Sequence, residues 1–272
     1  MKQVINGITY HYDLYGNGEP LLLLHGFTGN TATWEPFKKR WGQSFQIIMV
    51  DIIGHGLTDS PADHQRYEID QVAKDIKTLL VGLHIESLHI LGYSMGGRLA
   101  LSFACNYPEM LKSLILVSSS PGLRTVEERN NRIEQDERLA DRIEHDGIKA
   151  FVDYWENIPL FASVKKLPAA VQETIRQERL LQKEIGLSNS LRGMGTGKQP
   201  SQWECLPKLN IPVFLLCGSE DTKFVKIAEE MQNTFPNAKR SIIEESGHMI
   251  HVEKQEVFGQ IIMDWLLQVQ NN

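Results

Sequence analysis

Apolar residues in this chain fall into two alternating textures. Short unbroken runs recur along it: Leu21 to Leu24, FQIIMVD from Phe45 to Asp51, Leu88 with Ile90 and Leu91, SLILVSSS from Ser113 to Ser120, and VFLLCG after Pro212. Runs of this length and continuity predict strands buried on both faces. Between them, apolar positions recur at helical spacing, as in Ile69, Val72, Ile76, Leu79 and Leu80, or Val257, Ile261, Ile262, Trp265 and Leu266. Helices are also expected over 31–41 and 225–235, and a short strand over 240–244. The looser alternation of Val4, Ile8, Tyr10, Tyr12 and Leu14, broken at Gly7 and Gly16, predicts an opening hairpin. Strands and helices taking turns imply right-handed crossovers. The pattern therefore predicts an α/β fold whose central sheet is mostly parallel and flanked by helices.

One region departs from that rhythm. From Glu127 to Asp146 the chain is dense in charge and has no strand-like run. Helical segments are expected near 148–155 and 168–185, then a glycine-rich loop from Arg192 to Gly197. Residues 122–206 read as a helical cap inserted over the strand ends, which leaves the core in two parts, 1–121 and 207–272. Ligands on such sheets bind beyond the carboxyl ends of the strands. His25, Asp51 and Ser94 each fall at one of those ends.

Ser94 occupies the sharpest of these junctions. Gly92-Tyr93-Ser94-Met95-Gly96 joins an apolar strand to a small-residue helix (Leu99, Ala100, Leu101, Ala104), the setting of a nucleophile elbow. Gly92 and Gly96 let strand and helix approach closely. The Met95 N–H opens the helix, and the Phe27 N–H of His25-Gly26-Phe27 would lie beside it, forming a two-donor oxyanion hole. Asp221 and His248 each follow a later predicted strand, giving the order serine, acid, histidine. A serine hydroxyl is inert until an imidazole accepts its proton, and the imidazole needs a carboxylate to fix its tautomer. His251 and Glu220 are the rival candidates. Asp51 and the Gly54-His55-Gly56 turn read as structural parts of the rim. His248, His251 and Glu253 lack the helix and third ligand of a metal site, so no metal is expected.

Composition narrows the class. At 272 residues, 42% hydrophobic and 23% charged, the chain suits one globular α/β unit with an insertion. A net charge of −6 argues against nucleic acid or an anionic membrane as partner. The longest apolar run is far short of a membrane span and no signal pattern opens the chain, so a cytoplasmic protein is expected. Cys105, Cys205 and Cys217 are too few and scattered for a disulfide framework; Cys105 and Cys217 read as small core residues. No feature sets the oligomeric state, monomer or homo-oligomer.

With these motifs assembled, the whole chain resembles the α/β-hydrolase-fold family: HGF at 25–27, DxxGHG at 51–56, the elbow, the late Asp221 and the terminal Gly247-His248. Narrower features resemble one branch. They are Arg98 after Gly96-Gly97, Arg129-Asn130-Asn131-Arg132 with Asp136, the segment from Phe151 to Ser163, and Gly195-Thr196-Gly197 ahead of Gln199 to Trp203. That branch is the 2-succinyl-6-hydroxy-2,4-cyclohexadiene-1-carboxylate synthases of menaquinone biosynthesis, lyases that eliminate pyruvate. The resemblance implies that Ser94, His248 and Asp221 abstract a proton, with no cofactor, from a small polycarboxylate substrate. It further implies that Arg98, Arg132 and Arg179 bind substrate, with Tyr93, Tyr154 and Trp155 as walls. The alternatives are a hydrolase of esters or carbon–carbon bonds using the same triad, and a non-catalytic ligand receptor.

The arginines carry weight of their own. Arg98 lies four residues after Ser94, on the same side of a helix. Arg132 is in helical register with Leu139 and Ile143, and Arg179 extends the Val171–Ile175 row. A guanidinium on an apolar stripe either pairs with an acid or faces a polar cavity. Glu128, Asp136 and Glu178 are close enough to be internal partners. Three guanidinium groups on one rim would suit a ligand with several carboxylates, which arginine holds bidentately.

Overall fold

The computed structural model describes residues 1–271. Its strands are β1 (Lys2–Ile5), β2 (Ile8–Tyr15), β3 (Glu19–Leu24), β4 (Phe45–Val50), β5 (Leu88–Tyr93), β6 (Leu111–Val117), β7 (Val213–Gly218) and β8 (Ala238–Ile243). They form one sheet in the order β1-β2-β4-β3-β5-β6-β7-β8. β1 and β2 make the expected hairpin and β2 runs antiparallel to β4. The pairings from β4 through β3, β5, β6 and β7 to β8 are parallel.

Side-chain alternation along these strands builds two cores. Leu22, Leu24, Ile48, Val50 and Ile90 pack against α2 (Ile69–Gly82), α3 (Met95–Asn106) and α7 (Thr222–Thr234). Leu21, Leu23, Ile47, Met49 and Leu91 face the other way, onto Phe37 and Trp41 of α1 (Glu35–Trp41) and Phe258, Ile262 and Trp265 of α9 (Gln255–Gln270), which follows the short α8 (Ile250–Glu253). Coverage on both faces is why these strands read as continuous apolar runs.

Between β6 and β7 the chain forms α4 (Val126–Trp155), α5 (Ala169–Leu180) and α6 (Glu184–Met194). Thr125 and Glu128 make a reciprocal capping box at the start of α4, and Gly147, at φ +82°, bends the helix. Ala140, Ile143, Phe151, Val152, Leu187 and Leu191 cluster within this region, and Phe27 of the core packs against them. Two expectations need correcting. Arg192, Gly193 and Met194 end α6 instead of opening a loop: Gly193 is there for proximity, since a Cβ would lie 2.5 Å from the Tyr67 Cβ. Cys105 is no isolated core residue; it is disulfide-bonded to Cys205 across 100 positions, with Cα atoms 6.0 Å apart. Cys217 is a free, buried thiol, as expected.

Candidate active site

The elbow after β5 holds Ser94 at φ +52° and ψ −107°, a conformation that a non-glycine residue keeps only where its surroundings impose it. A Cβ on Gly92 would collide with the Gly96 carbonyl, and one on Gly96 with the Leu24 carbonyl, so the turn closes only with glycine at both places. The Ser94 N–H donates to the Val117 carbonyl at 2.9 Å, and the Ser119 hydroxyl donates to the Ser94 carbonyl at 3.0 Å. These bonds tie the apex to β6.

Asp221 and His248 arrive from the ends of β7 and β8. His248 Nδ1 lies 2.7 Å from Asp221 Oδ2, and His248 Nε2 lies 3.0 Å from Ser94 Oγ. With Nδ1–H donating to the carboxylate, Nε2 is left as the acceptor facing the serine hydroxyl. The rivals lie elsewhere. His251 packs 4.3 Å from the Tyr93 ring, and burial, then the neighbouring His248, lower its pKa to about 3. Glu220 pairs with Lys166 at 2.8 Å on the surface. The Glu253 carboxylate accepts from the N–H groups of Gly247 and Met249 at 2.7 and 3.1 Å, so it caps this loop. Asp51 is structural as expected, accepting from the Thr31 and Leu57 N–H groups and from His11.

Ser94 and His248 open into a cavity of about 350 Å³ that Phe27, Tyr93, Met95, Arg98, Arg132 and Trp155 help to line. Among the described residues, the Phe27 and Met95 N–H groups have no acceptor within the protein. Arg98 Nη1 donates to the Met194 carbonyl at 2.6 Å and to Gln199 Oε1, with no carboxylate at ion-pair distance among the described residues. Desolvation, then the nearby Arg132 charge, lowers the Arg98 pKa to about 10, against a counteracting pull from Asp136. Arg132 Nε donates to Asp136 Oδ1 at 2.8 Å. Burial raises the Asp136 pKa.

The α/β hydrolase fold family model matches residues 19–255, a span that contains Ser94, Asp221 and His248. The chain belongs to the α/β-hydrolase-fold family. It is 43% identical over 251 residues, 92% of this chain and 91% of the relative, to a Bacillus subtilis protein provisionally named 2-succinyl-6-hydroxy-2,4-cyclohexadiene-1-carboxylate synthase. The Salmonella typhimurium synthase of that name is 29% identical over 86% of this chain and 88% of its own length. The solved structure of MenH from S. aureus matches with a TM-score of 0.92 and 35% identity, covering 96% of this chain and 99% of that one.

Not every expected residue reaches this α/β-hydrolase-fold site. Arg179 lines an adjoining cavity of about 230 Å³, which shares Phe27, Tyr93 and Phe161 with the first. Tyr154 is a correction: it is 42% exposed, with the Arg142 guanidinium 4.5 Å over its ring, and it forms no cavity wall. Successive helical residues are turned by about 100°, so Phe151, Val152 and Trp155 take the inner face and Tyr154 the outer. Sequence reasoning missed Arg124 and Lys223, which also line the Ser94 cavity. Arg124 sits 3.5 Å over the Trp203 ring and pairs with Glu230 at 2.9 Å. For Lys223, the available signal was its place two residues after Asp221, in the first turn of α7.

Proposed function

We propose that this protein eliminates pyruvate from 2-succinyl-5-enolpyruvyl-6-hydroxy-3-cyclohexene-1-carboxylate, giving 2-succinyl-6-hydroxy-2,4-cyclohexadiene-1-carboxylate, the product in its relatives' names. The observation that carries the reading is Arg98: a guanidinium without an acid at ion-pair distance among the described residues, in the same cavity as the Ser94 hydroxyl. A hydrolase of neutral esters has no use for that charge, whereas a polycarboxylate substrate does. The reaction needs a base, an oxyanion site and carboxylate binding, all of which side chains and backbone amides of this chain can supply.

Ser94 Oγ, its own proton passing to His248, removes the proton on the ring carbon alpha to the succinyl carbonyl. The electron pair moves first onto the carbonyl oxygen, where the Phe27 and Met95 N–H groups receive the negative charge. It then returns through the ring double bond and breaks the carbon–oxygen bond to the enolpyruvyl group. The released enolate takes a proton from His248 and tautomerises to pyruvate. Asp221 holds the imidazolium while it exists. Arg98 and Arg132 hold carboxylates of the ring and succinyl arm, Tyr93 and Trp155 form walls, and residues 122–206 act as the cap that keeps water away. The site of action is the cytoplasm, where a soluble intermediate would be met.

The test supplies purified protein with the enolpyruvyl intermediate and follows pyruvate. Release is expected, falling about 10²- to 10⁴-fold in Ser94→Ala. Absence of pyruvate together with brisk, Ser94-dependent turnover of a neutral nitrophenyl ester would replace this reading with the hydrolase one.

A further inference from the structure

Two acids, Glu128 and Glu230, line the Ser94 cavity, although a ligand with several carboxylates would be repelled by them. Glu128 is accounted for by the start of α4, where its carboxylate accepts from the Thr125 N–H and hydroxyl at 2.9 and 3.0 Å. Glu230, on α7, has no such duty, and among the described residues its carboxylate pairs with Arg124 alone, at 2.9 Å. We propose that Glu230 stands in for a substrate carboxylate: it holds Arg124 at the cavity mouth in the free protein and yields it to a carboxylate of the ligand. Arg124 is then a binding residue for di- and tricarboxylates, and Glu230 sets how tightly they are held. The inference rests on the lyase reading only in requiring a ligand with more than one carboxylate.

The surroundings of Arg124 prepare it for this exchange. It lies two residues beyond Gly122, which at φ +90° turns the chain into the cap. The Gly122 carbonyl accepts from Trp203 Nε1 at 3.1 Å, and the Pro121 carbonyl accepts from the Gln202 N–H at 2.7 Å. These bonds lace the segments entering and leaving the cap and fix Trp203 as a platform. The Arg124 guanidinium sits 3.5 Å over that ring, a contact that positions the charge and uses none of its N–H groups. Of the guanidinium donors, Nη2 alone has an acceptor among the described residues. Glu128 is also within electrostatic reach of Arg124, but the capping box keeps its carboxylate on the helix end.

Burial decides which pair can be exchanged. Asp136, which holds Arg132, is 4% exposed, and parting a buried carboxylate from its cation is strongly unfavourable. The Arg124 and Glu230 side chains are 53% and 59% exposed, so water and side-chain entropy leave their attraction weak. A released Glu230 simply returns to solvent. A ligand carboxylate that reaches the mouth can take Arg124 through two parallel N–H bonds while another carboxylate rests on Arg98. A ligand without charge at that end gains nothing from Arg124 and leaves the pair closed.

Binding of 2-succinylbenzoate, a stable aromatic carrying ring and succinyl carboxylates, is measured by titration calorimetry on the full chain and its variants. Glu230→Gln is expected to tighten it about two- to five-fold, the range of an exposed ion pair removed from the free state. Arg124→Gln weakens it about 5- to 20-fold, the loss of a charge-assisted contact partly screened by water. The gain from Glu230→Gln shrinks in the Arg124→Gln background, because no guanidinium is left to release. Unchanged or weaker binding in Glu230→Gln overturns the proposal, since the acid would then orient Arg124 instead of competing for it. Unchanged binding in Arg124→Gln, or absence of saturable binding, also overturns it. So does a Glu230→Gln gain undiminished without Arg124, which would be repulsion alone. If Arg124→Gln fails to fold, the sign of the Glu230→Gln change decides. None of these readouts needs turnover, so failure of the lyase reading would show separately, as absent pyruvate release.

Discussion

Replacing Arg98 by methionine keeps an unbranched apolar stem and removes the charged head. An ordinary guanidinium titrates near 12.5 and Arg98 near 10, a difference corresponding to about 3 kcal/mol of disfavour toward the charged form. The acceptors of its guanidinium, the Met194 backbone carbonyl and Gln199 Oε1, are neutral and only partly offset that cost. A substrate carboxylate on the remaining N–H groups recovers much of it, about 1.5–3 kcal/mol for a hydrogen bond between charged groups. Arg98→Met should therefore lower kcat/KM about 10- to 150-fold, mainly through KM. Two opposed effects act on folding: the desolvated charge disappears, but the Met194 carbonyl and Gln199 lose their donor. Net stability should move by no more than about 1–2 kcal/mol. The assay couples pyruvate release to a dehydrogenase and is paired with urea unfolding. An unchanged kcat/KM alongside a large loss of stability would refute the reasoning, for Arg98 would then be a structural tie.

Acid should destabilise the fold early. His55 and His251 are buried, and burial above all lowers both pKa values to about 3, so the unfolded chain takes up protons first as pH falls below about 6.5. Stability is complete above that point and is lost towards pH 3, by up to about 1.4 kcal/mol per pH unit for each histidine. Urea unfolding at pH 7, 6 and 5 should show the slope reduced by about that amount in His55→Gln; an unaltered slope counts against it. The Cys105–Cys205 bond spans 100 positions, and a closed loop of that size predicts a loss of about 4–5 kcal/mol on reduction. A urea midpoint that does not move with dithiothreitol, or that moves equally in Cys105→Ser, would contradict this account.

The sheet was legible because burial on both faces leaves an unmistakable trace. Leu21 to Leu24 must be apolar without interruption, since successive side chains meet α3 on one side and α1 on the other. Ser94, Asp221 and His248 were legible for a related reason: each follows directly on a strand, and parallel strands deliver their ends to one rim. The region between β6 and β7 was harder. Its helices carry charge on their solvent faces and rest on a smaller cluster, so periodicity is diluted and boundaries blur. Gly193 resembles a loop residue until its neighbour Tyr67 is known. Tyr154 and Trp155 differ by one position and by a quarter-turn of helix, which decides between surface and cavity. Cys105 and Cys205 meet only because α3 and the segment entering β7 are neighbours, a relation that spacing along the chain does not contain. Arg179 had the right helical row, yet the row faces a different cavity.

Charge recognition in the Ser94 cavity works by remainder. The chain as a whole is acidic, and its acids neutralise two of the four cations that line this space: Asp136 takes Arg132, and Glu230 takes Arg124. Arg98 and Lys223 have no acid at ion-pair distance among the described residues. Lys223 is exposed, so solvent and salt weaken its field, whereas Arg98 acts from a desolvated position where the same charge reaches further. The side chain of Gln199 and the carbonyl of Met194 are therefore suited to holding it. Neutral acceptors fix the direction of a guanidinium without cancelling its charge. A carboxylate in place of the Gln199 amide would hold Arg98 more tightly and, by the same act, remove the attraction for an incoming carboxylate.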